Sequence, residues 1–337
     1  MTTRLLGPDL DSATADAVRT ALGSVLDLRI DPMAVDTRHR LSRAAGRERA
    51  PFLWCEPWRV VPFDTDREVR FTTDVVGARG NPERSRSFVE QLVRIRRGGF
   101  GRVGFVPIAT EADLRWHFGC CHRLAQSIAT VGFLDRDDVR LADAPPGRHP
   151  ELEADNPRVS VDGDARPHWS GDGRHRVAIA RAFGLRSIPV TVRSIDAAWA
   201  AARSPCGGDD LLSAIGDRLD EISAATVEDA GWSDEWLRSL DDAFDFPDAR
   251  PDVDETNAVV ERALRLDRDD RLDEALEQWA SIGAISDVRP YINVLAARTA
   301  HRAGRIDLAR RRVDAVLLAM PDHLAAREMA AEIAHSG

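Results

Sequence analysis

Gly171-Asp172-Gly173-Arg174-His175-Arg176 places a carboxylate, an imidazole and two guanidiniums around a pair of glycines. The run behind it, Val177, Ile179, Ala180 and Phe183, has helical spacing and stops at Gly184, so the turn opens a helix. Glycines permit a tight backbone path, and the free amides of a helix N-terminus attract anions. Planar guanidinium forks grip phosphate oxygens two at a time. The spacing therefore reads as a phosphate site made by Gly171, Gly173, Arg174 and Arg176. Asp172, a carboxylate beside two arginines, is suited to hold Mg²⁺ against nucleotide phosphates or to orient a hydroxyl nucleophile. His175 is the second candidate catalytic group. Trp169, just ahead of the turn, is a candidate to contact a base or substrate. The competing reading has the arginines in surface salt bridges and Trp169 in the core.

The elements that must position these residues are legible on both sides. Ile188 to Val192 reads as a strand after the helix. Asn156 to Asp162 and Pro167 to Ser170 read as a hairpin around Asp162-Gly163-Asp164. Upstream, strand-like runs lie at Trp58 to Phe63 and Val103 to Ile108, and Ser87 to Arg96 and Thr110 to Val131 read as helices. Arg79 to Arg84 is a Gly/Pro/Asn turn region, and 142–157 reads as a loop rich in Pro, Asp and Glu. Residues 10–27 carry helical spacing with Asp11 or Ser12 as cap, and the Arg-rich stretch 36–50 reads as a solvated helix or loop. The mixture predicts one α+β domain to about residue 200.

The turn resembles that of the ParB/sulfiredoxin superfamily, whose members carry a (D/G)-G-x-(H/R)-R turn, a helix ending in a Leu-Gly-like pair and an Ile-Pro-Val strand. Asp172 to Arg176, Phe183-Gly184-Leu185 and Ile188-Pro189-Val190 follow that order and spacing. Leu124 to Gly132 is similar to the family's L-x-x-S-I-x-x-x-G helix, and Trp58 to Asp64 to its first strand. The resemblance implies a nucleotide, ATP or CTP, with Mg²⁺ as a possible companion. The superfamily's free serine kinases have a similar D-G-H-H-R turn, which Asp172, Gly173, His175 and Arg176 fit, with Arg174 in place of the first His. Those kinases also use a glutamate base, for which Glu56, Glu68 and Glu83 are the upstream candidates. Sulfiredoxin chemistry is set aside, because Arg174 stands where its reactive cysteine would be.

Composition sets further bounds. The chain has 337 residues and a net charge of −10. All 46 of its basic residues are arginine, so a phosphate-gripping or Schiff-base lysine is excluded. There is no apolar run long enough for a membrane span and no signal-peptide pattern at the N-terminus, which points to the cytoplasm. Cys55, Cys120, Cys121 and Cys206 do not form a disulfide framework. His117, Cys120, Cys121 and His122 are the one metal-like cluster, with spacing unlike common zinc patterns, and no metal site is assigned. Residues 201–250 hold four arginines against thirteen acidic residues, where ParB-type proteins carry a DNA-reading helix-turn-helix. That charge counts against nucleic-acid binding.

An internal repeat closes the chain. Asp270-Arg271-Leu272-Asp273-Glu274-Ala275 returns as Gly304-Arg305-Ile306-Asp307-Leu308-Ala309, 34 residues later. That period resembles a tetratricopeptide (TPR) pair, with a last helix after Pro321-Asp322-His323. The expected organisation is a helical extension over 1–50, a ParB/sulfiredoxin-like nucleotide- and phosphate-binding domain over 51–200, an acidic helical linker over 201–250 and TPR-like repeats over 251–337. The expected fold class is α+β followed by an all-α helical domain. The leading functional expectation is ATP-dependent phosphoryl transfer to a small hydroxylated substrate. The alternatives are a non-enzymatic nucleotide sensor that recruits a protein partner, or a second copy of itself, through its TPR-like end, and a ParB-like DNA-binding or nuclease protein.

Overall fold

The computed structural model describes residues 20–39, 52–54, 59–103, 106–133, 156–171, 173–196, 199, 208–223, 232–240, 246, 255–282 and 290–335. The protein is of the mixed α/β kind. Its described strands are β1 (Asp27–Ile30), β2 (Thr37–His39), β3 (Leu53–Trp54), β4 (Val60–Pro62), β5 (Gly101–Val103), β6 (Val106–Ile108), β7 (Arg158–Val161), β8 (Pro167–Trp169) and β9 (Ile188–Asp196). The described helices are α1 (Arg67–Ala78), α2 (Arg86–Arg96), α3 (Glu111–Val131), α4 (Arg174–Phe183), α5 (Gly208–Ile222), α6 (Trp232–Arg238), α7 (Glu255–Arg268), α8 (Leu272–Ser281), α9 (Pro290–Arg302), α10 (Ile306–Ala319) and α11 (Leu324–His335). Contacts divide the chain into two units, each discontinuous in sequence. One takes Met1–Gly80 and Cys121–Asp242, the other Asn81–Cys120 and Ala243–Gly337.

The first unit is built on a mixed sheet with strand order β1-β9-β7-β8-β2-β4, and β3 also pairs with β9. The hairpin read from Asp162-Gly163-Asp164 is present as β7 and β8, with Val159 opposite Trp169 and Ser160 opposite His168. Asp162 makes that turn by accepting the amides of Asp164 and Arg166, both at 2.9 Å. β9 lies parallel to β7 and antiparallel to β1, so it is held from both sides. Its run of apolar and β-branched residues suits a strand buried on both faces. α1 and α4 pack against each other. Asp66 caps α1 by accepting from Glu68 N and Val69 N, and the buried Val69, Thr72, Val75 and Val76 share one helical face. Trp236 of α6 is buried, donates from Nε1 to Val76 O at 3.0 Å and meets Phe183 edge-on. That acidic stretch is therefore packed through its apolar side.

Two local readings of the sequence change. Residues 37–39 form β2 rather than a solvated helix or loop, because Thr37, Arg38 and His39 pair in register with Pro62, Val61 and Val60. The helical reading of 10–27 meets a strand at Asp27, where alternation of buried Leu28 and Ile30 with Asp27 and Arg29 replaces the helical period. Its first part, with Asp11 and Ser12, lies outside the described residues, as do 40–50, 142–155, Cys55, Glu56, Trp58 and Cys206.

The second unit joins α2, the β5–β6 hairpin and the first half of α3 to α7–α11. Thr110 and Asp113 form a reciprocal cap ahead of α3, Asp113 N to Thr110 Oγ1 at 3.0 Å and Thr110 N to Asp113 Oδ2 at 3.1 Å. The 34-residue repeat is a repeat of geometry as well. Asp270 and Gly304 have φ of 62° and 70°. Arg271 N bonds to Leu266 O at 2.9 Å, and Arg305 N to Ala300 O at 2.8 Å. Ala275 N and Ala309 N bond to Arg271 O and Arg305 O, both at 3.0 Å. Trp279 is fully buried in this apolar core, and its Nε1 donates to Thr299 Oγ1 at 3.0 Å, which satisfies the one polar atom its burial would otherwise strand.

Candidate anion-binding turn

Of the site residues expected from sequence, Gly171 and Gly173 stand ahead of α4, and Arg174, His175 and Arg176 form its first turn. Trp169 ends β8, and Asp172 lies outside the described residues. Gly173 is the N-cap of α4, with φ of 80°, and among the described residues no side chain caps the first-turn amides. Space as well as conformation requires glycine there, since a Cβ would stand 2.6 Å from Pro157 Cα. A Cβ on Gly171 would lie 3.2 Å from Arg193 Nη1, and that Nη1 donates to Ser170 O at 2.9 Å. Ser170 N donates to Arg158 O at the same distance. The start of β7 and the middle of β9 thus grip the backbone of the turn.

The three charged or titratable residues that follow form the first turn of α4 and differ in burial. Arg174 is half-buried. His175 is 2% exposed, and its Nδ1 lies 2.7 Å from Thr72 Oγ1 of α1 and 3.9 Å from Cys121 Sγ. Arg176 is 5% exposed, with its guanidinium 4.2 Å from the centroid of the Phe133 ring, a cation–π arrangement. The first turn of α4 carries no acidic residue. Two arginines at the positive end of a helix oppose its dipole, and an anion at the turn offsets both.

Trp169 is a core residue, 2% exposed. Its ring meets Phe63 edge-on at 5.9 Å and lies under the Arg38 guanidinium at 4.9 Å. Arg38 is itself tied to Asp66 Oδ2 at 2.9 Å. Glu68 sits in the first turn of α1, while Glu83 is exposed in the second unit. His117, Cys120, Cys121 and His122 are all buried. Among the described residues, no group of three or more His, Cys, Asp or Glu side chains could hold a metal ion.

Sequence reasoning missed the partners. Thr72 and Pro157 carry no motif, yet one fixes His175 and the other excludes any side chain at Gly173. It also missed a polar surface inside the sheet unit. Ser160 and Ser194 share a hydroxyl contact at 2.7 Å, and both are fully buried. His168 lies on the same face as Ser160, by their pairing across β7 and β8. His39 is buried close by. Its pKa is pushed down to about 4, first by burial and then by the charges of His168 and Arg193. His122 is also pushed down to about 4, mainly by burial, with Arg123 adding to it. The available signal was alternation along β7 and β8, which puts Ser160 and His168 opposite the apolar Val159, Val161 and Trp169 face. Among the described residues, no helix is long and apolar enough to cross a membrane. No family model, no curated protein and no solved structure matches this chain.

Proposed function

We propose that this chain is a cytoplasmic, ParB/sulfiredoxin-like nucleotide-binding protein that grips the phosphates of ATP or CTP at the Gly171–Gly173 turn. The chemistry of this reading is phosphoryl transfer to a small hydroxylated substrate. The observation that carries it is the start of α4: a helix N-terminus with no side-chain cap among the described residues, glycine enforced by Pro157, and Arg174 and Arg176 with no acidic residue in the first turn. Arg174 makes the direct phosphate contact. Arg176, stacked on Phe133, holds positive charge behind it. Asp172 is the residue suited to hold Mg²⁺, whose role when bound is to neutralise charge on the phosphates. The α7–α11 repeat serves as a TPR-like module for a protein partner or a second copy.

One observation favours a nucleotide sensor over a kinase. His175 is turned inward onto Thr72, so it fastens α4 to α1 and does not meet an acceptor. Thermal shift with ATP and CTP, with and without Mg²⁺, tests the shared premise. A nucleotide at 100 times its dissociation constant stabilises by about 2.7 kcal/mol. Arg174→Ala removes most of that gain, and Arg174→Lys removes part of it because a point charge lacks the fork. If neither nucleotide shifts the transition, the reading fails. Mass spectrometry of a panel of small alcohols and amino acids then separates the two: a phosphorylated product that Asp172→Asn abolishes means kinase, and binding without product means sensor.

A further inference from the structure

Thr37, His168 and Asp162 come from β2, β8 and the β7–β8 turn, and they form one chain of hydrogen bonds. Thr37 Oγ1 meets His168 Nδ1. His168 Nε2 lies 2.8 Å from Asp162 Oδ2. The other carboxylate oxygen, Oδ1, accepts the amides of Asp164 and Arg166, so the hairpin turn itself fixes the acid. An ionised carboxylate only accepts, which puts the ring proton on Nε2 and leaves the Nδ1 lone pair facing the threonine. The hydroxyl must therefore be the donor. That is the tautomer a histidine needs to take a proton from a hydroxyl, held there by a third group. His168 is 5% exposed, whereas Thr37 is half-buried. The base is shielded from water, while the residue it serves keeps part of its surface in solvent. Backbone pairing already fixes β2 to β8 at Arg38 and Trp169, so the strands do not depend on this chain of bonds for their alignment.

We propose that Thr37 is the nucleophile of an acyl-transfer site, with His168 as its general base and Asp162 as the group that orients His168. The substrate class is a small carboxylic ester. Thr37 Oγ1 bonds to the carbonyl carbon while its proton passes to His168 Nδ1. The carbonyl–oxygen bond to the alcohol breaks, and His168 returns the proton to the departing alkoxide. Water then attacks the acyl-threonine through the same nitrogen, releasing the carboxylic acid and restoring the Thr37 hydroxyl. The proposal is independent of nucleotide binding.

The test is p-nitrophenyl acetate on the full chain. Its leaving group departs as p-nitrophenolate, so the acylation step is read alone and the proton passes from His168 to buffer. A chain without lysine gives little background from acylated amines. The expected result is release of p-nitrophenolate with an acetyl group located on Thr37 by peptide mass spectrometry. Thr37→Ser retains the adduct and Thr37→Val abolishes it. His168→Asn slows acylation of Thr37 about a hundredfold, and Asp162→Asn slows it by a smaller factor. Folded wild-type protein that carries no acetyl on Thr37 and releases p-nitrophenolate no faster than Thr37→Val overturns the proposal. So does a folded His168→Asn variant that acylates Thr37 at the wild-type rate. Should His168→Asn fail to fold, the Ser and Val variants at position 37 decide: equal p-nitrophenolate release from both overturns it.

Discussion

Gly173 and Gly304 both stand at the entrance to a helix in the left-handed region, but for different reasons. In the helical unit the requirement is conformational alone. A Cβ on Gly304 would meet nothing within 4 Å, and the equivalent position one repeat earlier is Asp270, at φ 62°, with its carboxylate 3.0 Å from Arg302 Nη2. An L side chain is accepted there because short polar residues tolerate αL and find local partners. In the sheet unit, Gly173 answers to space as well, with Pro157 behind it and the first turn of α4 in front. One glycine sets the pitch of a repeat. The other lets the backbone pass close against Pro157 at the entrance to a helix.

The largest expected effect breaks this comparison if it is absent. Gly173→Ala adds backbone strain and a clash with Pro157, and is expected to cost about 3 kcal/mol or more in denaturant unfolding. A loss no larger than that of Gly304→Ala would show that space plays no part at Gly173.

Acid is the next lever. Folded His39 and His122 take up protons only near pH 4, because burial disfavours their charged forms, whereas unfolded histidine does so near 6.5. Between those values the unfolded chain binds more protons, so stability is full above about pH 6.5 and falls as pH drops toward 4. Both groups belong to the sheet unit. In the helical unit His323 is also held low by burial, so some acid sensitivity is expected there too. Hydrogen exchange followed from pH 7 to pH 4.5 should show protection lost first in peptides from 158–196 and later in those from 290–335. The reverse order would place the acid-labile core in the wrong unit.

The smallest effect sharpens the comparison. Gly304→Asp installs the residue its own repeat already uses, and should change stability by less than about 1 kcal/mol. A loss as large as that of Gly173→Ala would mean the two halves of the repeat are not equivalent.

The elements that follow local rules were legible in sequence. The β7–β8 hairpin followed from Asp162-Gly163-Asp164, α4 from its apolar spacing between Gly173 and Gly184, and α3 from the acidic first turn at Glu111 and Asp113. β2 was missed because it is three residues long and polar on its face, leaving too short a run for a period to show. The packing of 81–120 with the helical unit was not legible either. It depends on residues such as Phe100, which joins the apolar cluster around Trp279 and Leu295 across a long sequence gap.

By itself the sequence determined the glycine turn, its two arginines, the helix they open and the 34-residue repeat, since each is a pattern within a few neighbouring turns of chain. Only the tertiary structure decided what the side chains of the turn face. His175 points inward because Thr72, 103 residues earlier, supplies a hydroxyl on α1. The Arg176 guanidinium lies over an aromatic face because Phe133 supplies the ring. Thr37 and His168 meet across 131 residues because β2 runs parallel beside β8. A buried polar atom must find a partner wherever the fold brings one, and that partner's position in the chain follows from topology, which local spacing does not encode.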